Sequence, residues 1–209
     1  MSTSLHGLTR SLEVDGLKLN VPADVYYPAE DSYLLLDHVN VEPGQKVLDM
    51  GCGCGVLSLE AARQGGWVVA VDVNPQAARA TKANAKLNDL ADRIDVVGGD
   101  LFTVFTNSVV FDVVIFNPPY LPRGPWEESV ALHKSWCGGA SGKELTNRFL
   151  HGVKRHIRMG SSVLIVQSSH SGGQGLRGRL VSQGFEAEVV GSLRWMFEEI
   201  YCIQARFKG

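Results

Sequence analysis

Charge of one sign, cysteine and long apolar runs are all scarce in this 209-residue chain. Lys and Arg number 20 and Asp and Glu number 22, so the net charge of -2 gives no whole-chain electrostatic reason to bind nucleic acid. A local basic cluster that includes Arg148 is interpreted as a solvated helix face, with an acidic or RNA-associated partner left open. No apolar run approaches the roughly 20 residues that cross a bilayer. We therefore expect no membrane association and no direct binding of nucleic acid.

Only four cysteines are present, and the N-terminus lacks the pattern of a secretory signal peptide. Cys52 and Cys54 are separated by one residue, whereas Cys137 and Cys202 stand alone. A second closely spaced pair, which a structural zinc site needs, is missing. The sequence therefore predicts a cytoplasmic protein without a disulfide framework and without a bound metal.

Strand and helix patterns alternate along the chain from about residue 29 onward. Strands are predicted over 46–50, 67–71, 93–97, 111–116, 162–167, 185–190 and 200–207, and helices over 33–39, 56–64, 75–88, 145–158 and 176–183. Such alternation predicts an α/β protein with a mostly parallel sheet and helices on both faces. No linker interrupts the pattern, so we expect a single domain over 1–209, with residues 1–25 forming an irregular or hairpin lead-in.

The segment DMGCGCG, residues 49–55, joins the first strand of the predicted sheet to a helix. Gly51, Gly53 and Gly55 let the backbone turn tightly and approach a ligand closely. The spacing differs from the G-x-G-x-x-G of dinucleotide-binding turns, and the carboxylate of Asp49 would repel a phosphate. A nicotinamide-dependent reductase is therefore disfavoured. A carboxylate here suits an ammonium group, such as that of the methionine end of S-adenosyl-L-methionine.

Acidic residues also follow the next two strands. Asp72 ends the second strand, where a carboxylate can accept hydrogen bonds from both hydroxyls of a ribose. Asp100 and Leu101 follow the third strand, where an acid and an apolar neighbour can bind adenine. Each acid alone is explained equally well as a cap or turn residue. Because parallel strands end at one edge of a sheet, the three acids together predict a nucleoside site there.

The predicted strand 111–116 runs directly into Asn117-Pro118-Pro119-Tyr120. Proline cannot donate a ladder hydrogen bond, so the strand has to end in a rigid loop. An amide nitrogen is a weak nucleophile, and positioning it is the main route to catalysis. We expect the Asn117 oxygen and the Pro118 carbonyl to accept hydrogens from a planar acceptor nitrogen, and Tyr120 to stack on it. A turn that merely ends the strand is the alternative.

Three stretches of the chain are specific enough to identify a family. They are YYPAEDSYLLL (26–36), the pair DMGCGCG and FNPPY, and WCGGASGKELTNRFL (136–150). Together they resemble the HemK family of class I S-adenosylmethionine-dependent methyltransferases, and the first and third resemble its short archaeal and eukaryotic branch. The resemblance implies a Rossmann-like fold with a mostly parallel seven-stranded sheet and an antiparallel C-terminal strand.

The same resemblance implies an activity and a set of site residues. Members of this branch methylate the glutamine of the GGQ motif in class I release factors, generally as a heterodimer with a small zinc-binding activator subunit. The predicted catalytic residues are Asn117, Pro118 and Tyr120, and the predicted cofactor-binding residues are Ser32, Asp49, Gly51, Gly53, Asp72, Asp100, Leu101 and Asn117. Segment 121–134, expected to shape the acceptor pocket, matches no family pattern.

Several alternatives stay open at this point. The nearest is an exocyclic-amine methyltransferase acting on N6 of adenine or N2 of guanine in RNA or DNA, because a base amino group is also planar. Methylation of protein lysine as a second activity and a non-catalytic cofactor-binding subunit are two others. Self-methylation of Gln174 within SGGQG is weighed against a simple glycine turn. Trp195, Met196 and Phe197 are expected in the core or in an interface.

Overall fold

The computed structural model describes residues 9–120, 143–194 and 196–209. An antiparallel hairpin comes first, formed by β1 (Thr9–Val14) and β2 (Leu17–Pro22). The other strands are β3 (Lys46–Met50), β4 (Trp67–Asp72), β5 (Ile94–Gly98), β6 (Phe111–Phe116), β7 (Ile157–Ser168), β8 (Phe185–Arg194) and β9 (Glu199–Phe207). The helices are α1 (Glu30–Leu36), α2 (Val56–Arg63), α3 (Pro75–Leu87), α4 (Glu144–Val153) and α5 (Gly173–Ser182).

A seven-stranded sheet with the order β5-β4-β3-β6-β7-β9-β8 forms the centre of the fold. All pairings are parallel except those of β9, which runs antiparallel to β7 and β8. This confirms the predicted fold class. The strand order reverses between β3 and β6, and ligands of open α/β sheets bind in the crevice at such a point. Within the described ranges, no helix is long and apolar enough to cross a bilayer.

Both faces of the sheet are buried, which explains why its central strands are almost continuously apolar. On one face Val47 and Ile115 pack with apolar residues of α1, α2 and α3. On the other face Leu48 and Phe116 pack with apolar residues of α4 and α5. Successive residues of β3 and β6 therefore belong to different cores, as the two-residue period of a strand requires.

The hairpin is fastened to α3 by asparagine side chains. Asn84, fully buried, accepts from the Asn20 amide at 2.9 Å and donates to the Asn20 carbonyl at 3.1 Å. Asn88 makes the same pair of bonds to Lys18, at 2.8 and 2.7 Å. The Asn84 amide also donates to the Cys54 carbonyl at 2.9 Å, so the hairpin, the helix and the glycine-rich turn are connected.

All five predicted helices differ from the structure in at least one bound; α5, for example, begins at Gly173 rather than at residue 176, and α1 ends at Leu36 rather than at residue 39. The helix predicted over 145–158 is wrong at its end, because α4 stops at Val153 and β7 already begins at Ile157. Packing overrides the helical pattern there: Ile157 is buried and pairs with Phe111. Helix α1 begins at Glu30 rather than at residue 33, because Ala29 is its N-cap and the Asp31 side chain is used in buried hydrogen bonds.

Candidate active site

A cavity of about 550 Å³ opens at the carboxyl edge of the sheet, beside the ends of β3 and β6. It contains all of the predicted site residues except Asp49. The predicted residues that line it are Ser32, Gly51, Gly53, Asp72, Asp100, Leu101, Asn117, Pro118 and Tyr120. The glycine-rich turn and the Asn-Pro-Pro-Tyr loop thus share one cavity, as the position of their strands predicts.

The glycine-rich turn follows β3 with its backbone in conformations that favour glycine. Gly51 and Gly53 have φ angles of 71° and 57°. The amides of Gly51 and Cys52 donate to the Val71 carbonyl at 2.7 and 3.0 Å, which holds the turn against β4. A Cβ on Gly51 would lie 3.8 Å from the Phe116 ring and 4.0 Å from the Asn117 carbonyl oxygen. The turn therefore runs directly beside the loop that follows β6.

Asp49 lies behind this turn and is fully buried. Its Oδ2 accepts from the Ser58 hydroxyl, whereas its Oδ1 has no partner in the described part of the chain. Burial, reinforced by the neighbouring charge of Asp72, raises the pKa of Asp49 to about 7, although the Ser58 bond opposes the increase. A buried carboxylate oxygen without a donor is costly, and a cationic ligand group would satisfy it.

The buried carboxyl of Asp49 should make the stability of the ligand-free protein fall as the pH rises. Its pKa is about 7 in the folded protein against the usual 3.8, so the folded state keeps a proton that the unfolded chain releases. The free energy of unfolding therefore decreases between about pH 4 and 7, by about 1.4 kcal/mol for each pH unit. Above pH 7 this contribution changes no further.

Urea unfolding of the wild type and of Asp49→Asn at about pH 5.5 and about pH 7.5 measures this effect. Relative to the variant, the wild type should lose about 2 kcal/mol over this interval. The variant controls for every other group that titrates in the same range. Equal pH dependence of the two proteins would contradict the raised pKa.

Asp72 ends β4 with both carboxylate oxygens hydrogen-bonded to backbone. Oδ2 accepts from the Gly53 amide at 2.9 Å and Oδ1 from the Asn74 amide at 2.8 Å. Asn74 in turn is the N-cap of α3, since its side chain accepts from the Gln76 amide at 3.0 Å. Burial raises the pKa of Asp72, and the backbone bonds partly offset this. The carboxylate is therefore fixed between the glycine-rich turn and the start of α3.

Asp100 and Leu101 form the part of the cavity that follows β5. Leu101 is buried and has a φ of 50°, a left-handed conformation that few residues other than glycine adopt. Asp100 accepts from Arg148 Nη2 of α4 at 2.7 Å. Both partners are about half exposed, so the ion pair contributes at most about 1 kcal/mol, and its main effect is to orient the carboxylate. Sequence reasoning had placed Arg148 on a solvated face.

Asn117 is held by α1 at the lip of the cavity. Its Nδ2 donates to the Ser32 hydroxyl at 3.4 Å, while its Oδ1 is buried without a partner in the described part of the structure. Pro118 is buried and continues the cavity wall. The side-chain amide of Asn117 is therefore oriented through its Nδ2, and its Oδ1 is a hydrogen-bond acceptor not used by the described residues.

A buried hydrogen-bond network that sequence reasoning missed supports this loop. Asp31 is only 4% exposed and accepts from Tyr26 Oη at 2.8 Å and from Tyr120 Oη at 3.1 Å. It also accepts from the Ser32 amide at 2.6 Å. Burial, reinforced by the charge of Asp31, raises the pKa of both tyrosines, so both remain hydrogen-bond donors. The hydroxyl of Tyr120 is thus engaged, and any stacking on an acceptor falls to its ring.

Some of the sequence predictions concern residues outside the described ranges. These are segment 121–134, the W-x-G-G-x-x-G motif at 136–142, Cys137 and Trp195. The side chain of Gln174 is likewise not described.

Comparison with protein families and curated proteins gives consistent matches. The family model of the methyltransferase small domain matches residues 29–188. The putative protein N5-glutamine methyltransferase MJ0928 of Methanocaldococcus jannaschii is 38% identical over 196 residues, which cover 93% of this chain and 98% of that protein. Methyltransferase HEMK2 of Homo sapiens is 35% identical over 139 residues, which cover 61% of this chain and 64% of that protein.

Solved structures show the same architecture. The E. cuniculi Mtq2-Trm112 complex, described as responsible for methylation of the eRF1 translation termination factor, has a TM-score of 0.68 and 25% identity. That match covers 88% of this chain and 99% of the other. The M. jannaschii tRNA m1G37 methyltransferase has a TM-score of 0.66 at 19% identity, covering 96% of this chain and 57% of the other, which shows the fold alone.

Proposed function

Because the chain belongs to the HemK family of class I methyltransferases, we propose that it methylates the N5 nitrogen of the GGQ glutamine in a class I translation release factor. An S-adenosylmethionine-type cofactor is implied by the family, and we take S-adenosyl-L-methionine itself as the methyl donor. The name of the M. jannaschii relative and the described role of the E. cuniculi complex support this substrate.

The observation that carries the proposal is the unused oxygen of Asn117. A glutamine side chain ends in a planar nitrogen with two hydrogens, and both must be bound if the nitrogen is to be oriented. Asn117 Oδ1 is buried, without a partner in the described chain, and shares a cavity with the glycine-rich turn. We assign it to one hydrogen of the acceptor and the Pro118 carbonyl to the other. The flanking prolines make this pair of acceptors rigid before the substrate binds.

The remaining site residues have the chemistry to hold the cofactor. Asp49 Oδ1 lacks a donor within the described residues, and its carboxyl suits the ammonium group of a methionine moiety. Gly51 and Gly53 leave room for close approach, Asp72 suits ribose hydroxyls, and Asp100 with Leu101 suits adenine. Ser32 completes this set beside Asn117. The acids would repel phosphate and thus disfavour a dinucleotide.

Catalysis in this proposal depends on position rather than on a strong base. Bound S-adenosyl-L-methionine would supply an electrophilic methyl group on a cationic sulfur. Asn117 and Pro118 fix the acceptor nitrogen. After methyl transfer this nitrogen loses one proton, which passes to water directly or by way of Asn117 Oδ1. Asp31, through Ser32 and Tyr120, keeps the loop in place. The Cys54 thiol in the cavity wall is unsuited to act as a nucleophile, since burial raises its pKa to about 12.

A small partner subunit is part of the proposal, because the related Mtq2 structure is a complex with Trm112. We expect the isolated chain to have low activity and a Trm112-type subunit to increase it. The partner is expected to change kcat or solubility without contributing a residue to the site that holds the acceptor nitrogen.

The proposed function predicts label transfer from methyl-labelled cofactor to a class I release factor. The reaction should contain the chain, a Trm112-type subunit and separate pools of release factor and of total RNA. A release factor in which the GGQ glutamine is replaced by glutamate is the matched control and should accept no label. Labelling of that control would point to another protein acceptor, and labelling of RNA alone would favour the nucleobase alternative.

A further inference from the structure

An exposed apolar turn lies at the same sheet edge as the candidate active site. The turn between β8 and β9 contains Met196 and Phe197, which are 87% and 81% exposed. They are the most exposed large apolar side chains among the described residues, and this exposure excludes the core placement expected from sequence. Strand order puts β9 two positions from β6, so the turn lies roughly 10 Å across the sheet from the Asn117 loop.

The turn is held in place by hydrogen bonds from the end of β7. The Ser168 hydroxyl donates to Glu198 Oε1 at 2.5 Å, and the Glu199 amide donates to the Ser169 hydroxyl at 3.0 Å. Tyr201 Oη also donates to Glu199 Oε2 at 2.9 Å. Two large apolar side chains are thus presented on a fixed support, which is the arrangement of a binding surface rather than of a loose loop tip.

Acidic side chains lie near both this turn and loop 117–120. Helix α1, which carries Asp31, packs against β8 and β9 beside the turn. The charge of Glu198 is accordingly a small contribution, after burial and Asp31, to the raised pKa of Tyr120. Glu30 has a similar effect on Tyr26. Exposed Glu30 of α1, the buried Asp31 next to it and Glu198 of the turn thus place negative charge near Tyr26 and Tyr120. Carboxylates at this position repel a nucleic acid backbone and attract a basic polypeptide segment.

We propose that turn 196–198 is the docking surface for the substrate polypeptide that flanks the methyl acceptor. Met196 and Phe197 pack against an apolar side chain of that segment, and Glu198 pairs with a basic one. This inference rests on the proposed function, because it takes the substrate to be a protein. It deepens that function by assigning substrate recognition to residues that do not touch the reacting atoms.

Steady-state kinetics with the release factor and the Trm112-type subunit test the docking surface. In Met196→Ser/Phe197→Ser the KM for the release factor should rise about tenfold or more, while kcat and the KM for the cofactor stay within about twofold. Glu198→Gln should raise the same KM several-fold and weaken its dependence on salt. Met159→Ser and Glu188→Gln are the matched controls, since Met159 is 74% exposed at the opposite end of β7 and Glu188 is exposed on β8.

The possible outcomes separate this inference from the function on which it rests. Failure of the wild-type complex to methylate the release factor would reject the proposed function and the docking surface with it. Normal wild-type activity with an unchanged KM in the turn variants would overturn the docking surface alone. Loss of the Trm112-type subunit during purification of the variants would assign the turn to the partner instead and also overturn it. Unchanged thermal unfolding of the variants verifies that they are folded.

Discussion

Replacing Asn117 with alanine should lower kcat by about 10²–10³-fold while the Kd for S-adenosyl-L-methionine changes only a few-fold. The substitution removes the buried oxygen assigned to the acceptor hydrogen, and the acceptor nitrogen is then no longer oriented. Cofactor binding should largely survive, because Asp49, Asp72 and Asp100 remain. The measurement is single-turnover methyl transfer at saturating cofactor, with calorimetric titration of the cofactor alongside.

The exposed Asn107, in the loop before β6, supplies the matched control for this experiment. Asn107→Ala should leave both constants at the wild-type values. If Asn117→Ala instead lost cofactor affinity and turnover in equal measure, Asn117 would be a cofactor ligand and the assigned role in holding the acceptor would be wrong.

Replacing Asp72 with alanine should raise the Kd for the cofactor roughly 100-fold and change kcat at saturating cofactor much less. This is the reverse of the effect expected for Asn117→Ala. Hydrogen bonds to charged groups are worth about 1.5–3 kcal/mol each, so losing the bonds to two hydroxyls accounts for an effect of this size. The structure adds a second cause. Asp72 also accepts from the amides of Gly53 and Asn74, so its removal takes away one of the hydrogen bonds that hold the glycine-rich turn.

Asp72→Asn separates these two causes, because the amide keeps one oxygen acceptor but loses the charge and the second acceptor. Its Kd should lie between those of the wild type and of the alanine variant. Asp95→Ala, at an exposed position on the neighbouring strand β5, is the control and should bind the cofactor normally. A Kd for Asp72→Ala within about twofold of the wild type would refute the assignment to ribose, since the loss of even one bond to a charged group exceeds that.

Much of the site could be predicted because its residues follow strands directly. The glycine-rich turn begins at Gly51, directly after β3, and Asn117 comes directly after β6. These strands are neighbours at the point where the strand order reverses. Parallel strands bring their carboxyl ends to one edge whatever the helices between them do. The positions of Asp72 and Asp100 at the same edge follow from the same rule. The cavity residues that follow strands were therefore accessible from the sequence pattern, whereas Ser32 of α1 was predicted only from the family resemblance.

Pairing between distant side chains was not accessible in this way. Arg148 meets Asp100 across 48 residues, and Tyr120 meets Asp31 across 89. Periodicity reports which face of an element is buried, but it does not report which polar group a buried residue will contact. For the same reason the hydrogen bond from Ser58 to the buried carboxyl of Asp49 could not be read from the sequence. The predicted end of α4 was wrong for a different reason, since strand pairing of Ile157 outweighed helix propensity.

Through Asn84 of α3, the first strands of the chain support the glycine-rich turn at the Cys54 carbonyl. The Asn84 side-chain amide donates to the carbonyls of both Asn20 and Cys54, so disorder at Asn20 would also weaken the position of Cys54. Removing the hairpin should therefore loosen the glycine-rich turn from behind, even in a chain that keeps every residue lining the cavity.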